Sequence, residues 1–211
     1  MPVAVQAVPF LLPLGLLAVI LGLVLGPLYS LVPLGAFGFV LFFFRDPERV
    51  PPIGHGLVLA PADGRVTVVE SFPEGARVSI FLSLFNCHIN RSPVTGVVRE
   101  THYSPGRFHP AWQPRARHSN ERNHIVIETD HGVYGVTQIA GVAARRIVCT
   151  KNPGDTVRSG ERIGLIQFGS RTDLRFPPGV DPIVKVGDRV RGGLTVMAIE
   201  SGDTNRAAVG G

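Results

Sequence analysis

The sequence predicts a mainly β soluble domain, barrel-like or sandwich-like with few helices, that follows an N-terminal hydrophobic membrane anchor. Residues 1–44 contain no Asp, Glu, Lys, Arg or His, so every charged side chain lies further along the chain. In the remainder, short runs of Val and Ile are separated by Gly, Pro and Asp turns, and strong helix signals are scarce. We therefore expect an anchor over residues 1–44, a linker over 45–56 and a β-rich domain over 57–211.

The first apolar segment, Val8–Gly26, is long enough to cross a bilayer. At about 1.5 Å per residue it would reach roughly 28 Å, close to the thickness of the hydrocarbon region. The second segment, Leu28–Phe44, is shorter and is interrupted by Pro33. It could cross a thinned bilayer or form the return limb of a shallow hairpin. The anchor thus has one or two helical legs.

Charge places the β-rich domain on the cytoplasmic side of the cell membrane. Arg45 and Arg49 directly follow the apolar region, and basic residues next to a membrane segment favour the cytoplasm. The formal net charge of +5 suits an anionic lipid surface, although an arginine-rich solvated surface explains it equally well. The basic residues are scattered among acidic ones, so we do not expect a nucleic-acid partner.

The β-rich domain shows its strands as short apolar runs bounded by turn residues. The prolines of residues 45–52 prevent the preceding helix from continuing. One helix could occupy part of residues 143–147. The predicted strands lie within residues 56–61, 64–71, 76–84, 95–101, 123–130, 133–141, 145–150 and 162–169.

A weak internal repeat is visible in the second half of the chain. Residues 152–166 and 185–199 share a Gly-Asp-x-Val-Arg core, 33 residues apart. Gly-Asp supplies a tight turn, and such hairpins recur in the small barrels that carry biotin or lipoate. Lys151 and Lys185 lack the setting of a modified lysine at a hairpin tip. The repeat therefore predicts architecture rather than a carrier site.

Two side chains stand out as candidates for acid–base chemistry. His88 ends an apolar strand beside polar residues, where burial and neighbours can tune an imidazole for proton transfer near neutral pH. Asp63 follows a predicted buried strand, but the dipeptide Asp63-Gly64 is also a common turn. The histidines show no metal-ligand spacing such as H-E-x-x-H, so we predict no metal site.

The dipeptide Gly169-Ser170 comes directly after a predicted buried strand and is followed by alternating charged residues. It could be an ordinary turn, or the peptide bond between the two residues could itself be reactive. The surrounding sequence lacks the G-x-S-x-G pattern of a nucleophile elbow, so Ser170 is poorly placed as a hydrolase nucleophile.

Five sequence blocks, in order, resemble the phosphatidylserine decarboxylases, in particular their short bacterial and archaeal branch. A Gly-Ser pair alone would mean little, but five ordered blocks behind an apolar anchor are specific. The blocks are FFFRDPERVPP at 42–52, PADGRV at 61–66, FNCHINRSPVTG at 85–96, NERN at 120–123 and GERIGLIQFGSRTDL at 160–174.

This resemblance implies a proenzyme that cuts itself between Gly169 and Ser170. Ser170 would become a pyruvoyl group, the cofactor, at the start of a small chain (170–211) that stays paired with the large chain (1–169). Its ketone would form a Schiff base with phosphatidylserine, and decarboxylation would yield phosphatidylethanolamine and CO2. The resemblance also implies catalytic roles for Asp63 and His88. The heterodimer could associate further into a homo-oligomer.

The sequence departs from the longer bacterial branch at one point that matters. That branch has L-G-S-T at the cut and a second histidine three residues before the one aligned with His88, whereas this chain has Phe85 there. One histidine must therefore suffice, or water must help. Charge alone suggests three residues for the substrate headgroup: Arg91, Arg122 and Arg171.

Two other classes of protein remain open at this stage. A membrane-anchored β-barrel adaptor without catalysis would carry similar Gly-Asp hairpins, but the chain lacks the heptad run of a long coiled coil. A membrane-bound serine hydrolase is disfavoured by the missing nucleophile elbow.

Overall fold

A computed structural model describes residues 2–110, 113, 116–142 and 146–200. The chain forms two compact units, of which the first ends at Glu48 and the second begins at Arg49. This boundary lies within the linker predicted for residues 45–56. The end of the predicted β-rich domain, residues 201–211, lies outside the described residues.

The N-terminal unit is a helical hairpin. A short 3-10 turn leads into helix α1 (Val8–Val24), and Gly26 connects it to helix α2 (Pro27–Phe43). Gly26 has φ 107°, a backbone conformation that glycine adopts without steric cost. The hairpin ends meet, because the Ala4 amide donates to the Phe44 carbonyl oxygen at 2.8 Å. The second leg therefore returns to the start of the first.

The segment Val5–Val24 is long and apolar enough to cross a membrane, whereas α2 is shorter. Both legs contain an internal proline and mostly exposed apolar side chains.

The second unit is built almost entirely from antiparallel strands, so the predicted mainly β class is confirmed. The short helix α3 (Ala116–Ser119) also belongs to it. The strands are β1 (Leu57–Leu59), β2 (Gly64–Phe72), β3 (Gly75–Leu82), β4 (Ile89–Arg91), β5 (Gly96–Ser104), β6 (Arg122–Thr129), β7 (Gly132–Ala140), β8 (Arg146–Cys149), β9 (Thr156–Val157), β10 (Arg162–Gln167), β11 (Ser170–Phe176), β12 (Arg189–Val190) and β13 (Val196–Ile199).

These strands form three sheets. The largest has the order β12-β2-β3-β11-β7-β6-β5-β9 and curls into a half-barrel. A three-stranded sheet has the order β4-β10-β8, and β1 pairs with β13. The main core consists of aliphatic and aromatic side chains, and these bury the concave side of the large sheet. Its largest members include Ile80, Ile125, Ile127, Tyr134, Ile163, Leu174 and Phe176.

The two copies of the internal repeat supply the two edge strands of the large sheet. In the first copy the Asp155 carboxylate accepts a hydrogen bond from the Asn152 amide at 2.8 Å, and in the second Asp188 accepts from Lys185 at 2.8 Å. The strand after each turn, β9 in the first copy and β12 in the second, forms one edge of the sheet. The repeat is architectural, as the sequence predicts.

Each of the eight predicted strands coincides with an observed one, but other expectations need correction. The helix predicted for part of residues 143–147 is not observed at residues 146 and 147, which belong to a strand. Residues 143–145 lie outside the described residues, and strand β8 begins at Arg146. The strands that the sequence did not predict are β4, β9, β11, β12 and β13.

Candidate active site

A two-residue turn, Phe168–Gly169, connects β10 of the small sheet to β11 of the large sheet. Both residues have positive φ, 60° for Phe168 and 51° for Gly169. This left-handed conformation costs a residue other than glycine roughly 1–2 kcal/mol, whereas glycine adopts it freely. The turn therefore concentrates backbone strain at the residue before Gly169. Ser170 is the first residue of β11.

A buried chain of polar side chains holds the two sheets together next to this turn. The Asn90 amide of β4 donates to the Thr172 hydroxyl of β11 at 3.1 Å, and Gln138 of β7 donates to the Asn90 oxygen at 2.9 Å. Asn123 of β6 then donates to Gln138 at 3.0 Å. Buried polar groups of this kind cost free energy unless they are paired. These hydrogen bonds therefore favour one alignment of the two sheets.

In this alignment His88 and Ser170 both lie between the Asn90–Thr172 contact and the turn. Two residues before Asn90, the His88 carbonyl oxygen accepts from the Ile166 amide at 3.2 Å. The Ile166 side chain packs on Ala140, which is the register partner of Ser170. His88 comes two residues before Asn90, and Ser170 comes two residues before Thr172. In both segments the earlier residue is the one nearer the Phe168–Gly169 turn.

The local contacts of His88 determine which ring nitrogen can act as a base. The side chain is buried, and Nδ1 lies 3.0 Å from the Asn86 carbonyl oxygen. Because a carbonyl oxygen only accepts, Nδ1 carries the proton in the neutral ring and Nε2 keeps the lone pair. Asn86 is itself fixed, since its side-chain oxygen accepts from the Ser83 amide at 2.9 Å and the Ser83 hydroxyl at 2.7 Å.

Ser170 is fully buried on the concave side of the sheet. Its register partners are Leu82 on β3 and Ala140 on β7, so its surroundings in the sheet are apolar. Its hydroxyl oxygen has no hydrogen-bond partner among the described residues. A buried hydroxyl without a partner is rare in a folded protein and marks a site where stability alone does not explain the residue.

Asp63 lies at the edge of a neighbouring pocket. Its carboxylate accepts two hydrogen bonds from the Arg49 guanidinium, at 2.5 and 2.8 Å, and one from the Gly192 amide at 2.8 Å. The resemblance implies catalytic roles for both Asp63 and His88, but in this structure the Asn86 carbonyl oxygen lies against His88 Nδ1 and Arg49 binds the Asp63 carboxylate. Asn86 lies near both residues: its carbonyl oxygen contacts His88, and it lines the same pocket as Asp63.

This pocket, which we call the Asp63 pocket, has a volume of about 510 Å³ and is rich in arginine. Its three arginines, Arg65, Arg189 and Arg191, were not predicted from the sequence. The second copy of the repeat was the available signal, because it carries two of them beside its turn. The lining residues are Asp63, Gly64, Arg65, Phe81, Ser83, Asn86, Arg189, Val190 and Arg191.

The three arginines suggested from charge have other contacts and do not line the Asp63 pocket as the structure describes it. Arg91 is buried and donates to the Gly160 carbonyl oxygen at 2.9 Å. Arg122 donates to the His118 carbonyl oxygen at 2.8 Å. Arg171 points to the opposite face of β11 from Ser170, because side chains alternate along a strand.

Arg171 forms a buried ion pair there. Its guanidinium donates to the Asp173 carboxylate at 2.6 and 3.0 Å and to the Ser79 hydroxyl at 2.7 Å. These contacts satisfy most of its donors. The geometry therefore favours a structural role for Arg171 over contact with a headgroup.

Comparison with known proteins identifies the family. Residues 36–198 match the family model described as phosphatidylserine decarboxylase. A phosphatidylserine decarboxylase proenzyme of Gluconacetobacter diazotrophicus is 50% identical over 173 residues, which cover 77% of each chain. The proenzyme of Ruegeria pomeroyi is 48% identical over 168 residues, 74% of this chain and 77% of the relative. That of Beijerinckia indica is 46% identical over 201 residues, 88% of this chain and 86% of the relative.

These matches place the chain among the decarboxylating lyases. It belongs to the phosphatidylserine decarboxylase family. The chain is therefore an enzyme, and the hypothesis of a non-catalytic adaptor is set aside.

Proposed function

We propose that this chain is a proenzyme that cleaves itself between Gly169 and Ser170 and then decarboxylates phosphatidylserine to phosphatidylethanolamine and CO2 with a pyruvoyl group made from Ser170. The observation that carries the proposal is the buried Ser170 hydroxyl, which follows a strained turn and, like His88, lies on the turn side of the Asn90–Thr172 contact. The proenzyme names of the relatives point the same way.

Cleavage begins when the Ser170 hydroxyl oxygen attacks the Gly169 carbonyl carbon. His88 Nε2 accepts the hydroxyl proton, the new C–O bond forms, and the C–N bond breaks as the proton passes to the Ser170 nitrogen. Gly169 suits this step because it has no side chain to shield the carbonyl. Loss of the Ser170 Cα proton then expels the Gly169 carboxylate and leaves dehydroalanine. Hydrolysis of this residue releases ammonia and leaves a ketone.

The surroundings of Ser170 fit a pyruvoyl group. The group is small and has no charge, and it would occupy the space of the serine side chain between Leu82 and Ala140. When present, it supplies a carbonyl that binds the substrate's amino group and withdraws electrons from the bond to the departing carboxylate. His88 can then return a proton to the carbon that has lost CO2.

The Asp63 pocket supports a role in binding the substrate headgroup. Arg65 and Arg189 are register partners on β2 and β12, and like charges directly opposite each other are unfavourable without a compensating anion. Arg191 adds a third cation. A lipid phosphate could accept hydrogen bonds from all three guanidinium groups. Asp63 and Asn86 line the same pocket, and Asn86 also contacts His88.

The apolar hairpin fits a lipid substrate. We propose that it anchors the enzyme in the cell membrane with the catalytic domain on the cytoplasmic side, as Arg45 and Arg49 suggest. The substrate's acyl chains would then stay in the bilayer throughout the reaction. The large and small chains would remain paired, because β11 lies between β3 and β7 in the middle of the large sheet.

Replacing Ser170 tests self-cleavage directly. We expect Ser170→Ala to yield one uncut chain without decarboxylase activity, because both the nucleophile and the source of the ketone are lost. Gel electrophoresis and release of labelled CO2 measure the two effects. Ser71→Ala, at an exposed position of β2, is the matched control and should be cut and active. An uncut but active Ser170→Ala enzyme would refute the proposal.

Replacing His88 tests the acid–base role. We expect His88→Ala to slow cleavage, decarboxylation or both by about 10²–10⁴-fold, the usual contribution of a positioned proton-transfer group. Pulse–chase labelling measures cleavage, and kcat of the cut fraction measures decarboxylation. His102→Ala, on the exposed side of β5, is the control. Wild-type rates for both steps in His88→Ala would remove this residue from the mechanism.

Replacing the pocket arginines tests headgroup binding. We expect the double variant Arg189→Gln/Arg191→Gln to raise KM for phosphatidylserine in mixed micelles about tenfold or more, because charge-assisted hydrogen bonds are lost. Self-cleavage should proceed at the wild-type rate. Arg99→Gln, at an exposed ion pair with Glu128, is the control. An unchanged KM in the double variant would exclude the Asp63 pocket as the headgroup site.

A further inference from the structure

The convex face of the large sheet carries a second cationic cavity, which shares no lining residue with the Asp63 pocket. We call it the Arg77 cavity, and its volume is about 240 Å³. It lies where β3, β11, β7 and β6 run side by side and where helix α3 adjoins them. The lining residues are Arg77, Arg117, His118, Arg122, His124, Thr137, Asp173 and Arg175.

Positive charge in this cavity exceeds the negative charge available. Four arginines line it, and Asp173 is the one lining carboxylate among the described residues. That carboxylate already accepts two hydrogen bonds from Arg171, and Arg117 lies 3.7 Å from it. Asp173 therefore cannot neutralise the cluster.

Two of the arginines face each other directly. Arg77 on β3 and Arg175 on β11 are register partners, so their side chains leave the sheet on the same face. Like charges in this arrangement destabilise a sheet. Glu70 compensates Arg77 in part through an ion pair at the edge of its guanidinium.

Arg77 has hydrogen-bonding capacity to spare. The residue is 7% exposed, and Nη2 donates to Glu70. Its Nε and Nη1 atoms are buried without a hydrogen-bond partner among the described residues. Unpaired donors on a buried charge are costly, and an anion that accepts from them would remove the cost.

His124, one of the two histidines that line the cavity, adds a donor rather than a full charge. Burial lowers the pKa of His124; Glu100 opposes this effect, while Arg175 and His102 act in the same direction. Its Nδ1 lies 2.8 Å from the Thr137 hydroxyl. A largely neutral imidazole near pH 7 can still donate a hydrogen bond to an anionic ligand.

We propose that the Arg77 cavity binds an oxyanion of the phosphate class, either free phosphate or the phosphate of an anionic lipid headgroup. A tetrahedral anion presents several oxygens, so it can accept from guanidinium groups that arrive from different elements. Arg77, Arg175 and Arg122 reach the cavity from strands β3, β11 and β6 of the sheet. Arg117 reaches it from α3. The bound anion therefore ties α3 to the sheet. This proposal is independent of the chemistry at Ser170.

Thermal unfolding of the full chain in detergent tests the proposal. We expect sodium phosphate, compared with sodium chloride at equal ionic strength, to raise the unfolding temperature saturably by a few degrees. The rise should be clearly smaller in Arg117→Gln/Arg122→Gln, whose side chains are partly exposed, and any remainder would come from the Asp63 pocket. The rise should persist in Arg99→Gln and in Arg189→Gln/Arg191→Gln, which separates this cavity from the Asp63 pocket.

Short-chain lipids identify the source of the anion. Stabilisation by dihexanoyl-phosphatidylglycerol, but not by dihexanoyl-phosphatidylcholine, at concentrations below those needed for phosphate would indicate a lipid headgroup. Stabilisation by phosphate alone would indicate the free ion. A phosphate effect that is absent from the wild-type chain, or equal in Arg117→Gln/Arg122→Gln, would overturn the proposal. The readout requires neither cleavage nor decarboxylation, so it fails or succeeds independently of the proposed function.

Discussion

A buried chain of amide and hydroxyl groups, from Asn123 through Gln138 and Asn90 to Thr172, holds the three-stranded sheet against the eight-stranded sheet. The rest of the site depends on this alignment. His88 directly precedes β4 of the small sheet, and Ser170 begins β11 of the large sheet. Apolar packing alone is not directional and would allow the two sheets to slide. Because each of these polar groups needs its partner, the hydrogen bonds select one register of the two sheets. In that register His88 and Ser170 both lie on the turn side of the Asn90–Thr172 contact.

Strand β11 serves both faces of the large sheet. Its inward side chains begin with Ser170 at the turn, and its outward side chains are alternately basic and acidic. The outward face pairs Arg171 with Asp173 but sets Arg175 against Arg77. The arginines of the described residues thus form internal ion pairs and also line cavities with excess positive charge, among them the Asp63 pocket and the Arg77 cavity. Both cavities contain a pair of arginines in direct register, and in both an anionic ligand would relieve the repulsion.

Strands with clear apolar periodicity, and the family to which the chain belongs, could be predicted from the sequence. Strands and pockets whose buried side chains are polar could not. The strands rich in Val and Ile were predicted, and so was the architectural role of the repeat. Strand β11 was not, because its buried positions include Ser170, Thr172 and the ion-paired Arg171. The arginines of the Asp63 pocket were missed for a related reason. Charge along a sequence does not show which face of a sheet a side chain occupies, and only pairing of β12 with β2 brings them together.

The most direct test of the central claim is the intact mass of the mature chains, before and after borohydride treatment. Self-cleavage predicts two chains, with the small one lighter by the mass of one ammonia molecule than a chain of residues 170–211 that begins with serine. Reduction should add two hydrogens to this small chain and block decarboxylation. A single uncut chain that is active, or a small chain with an unmodified serine at its start, would contradict the account.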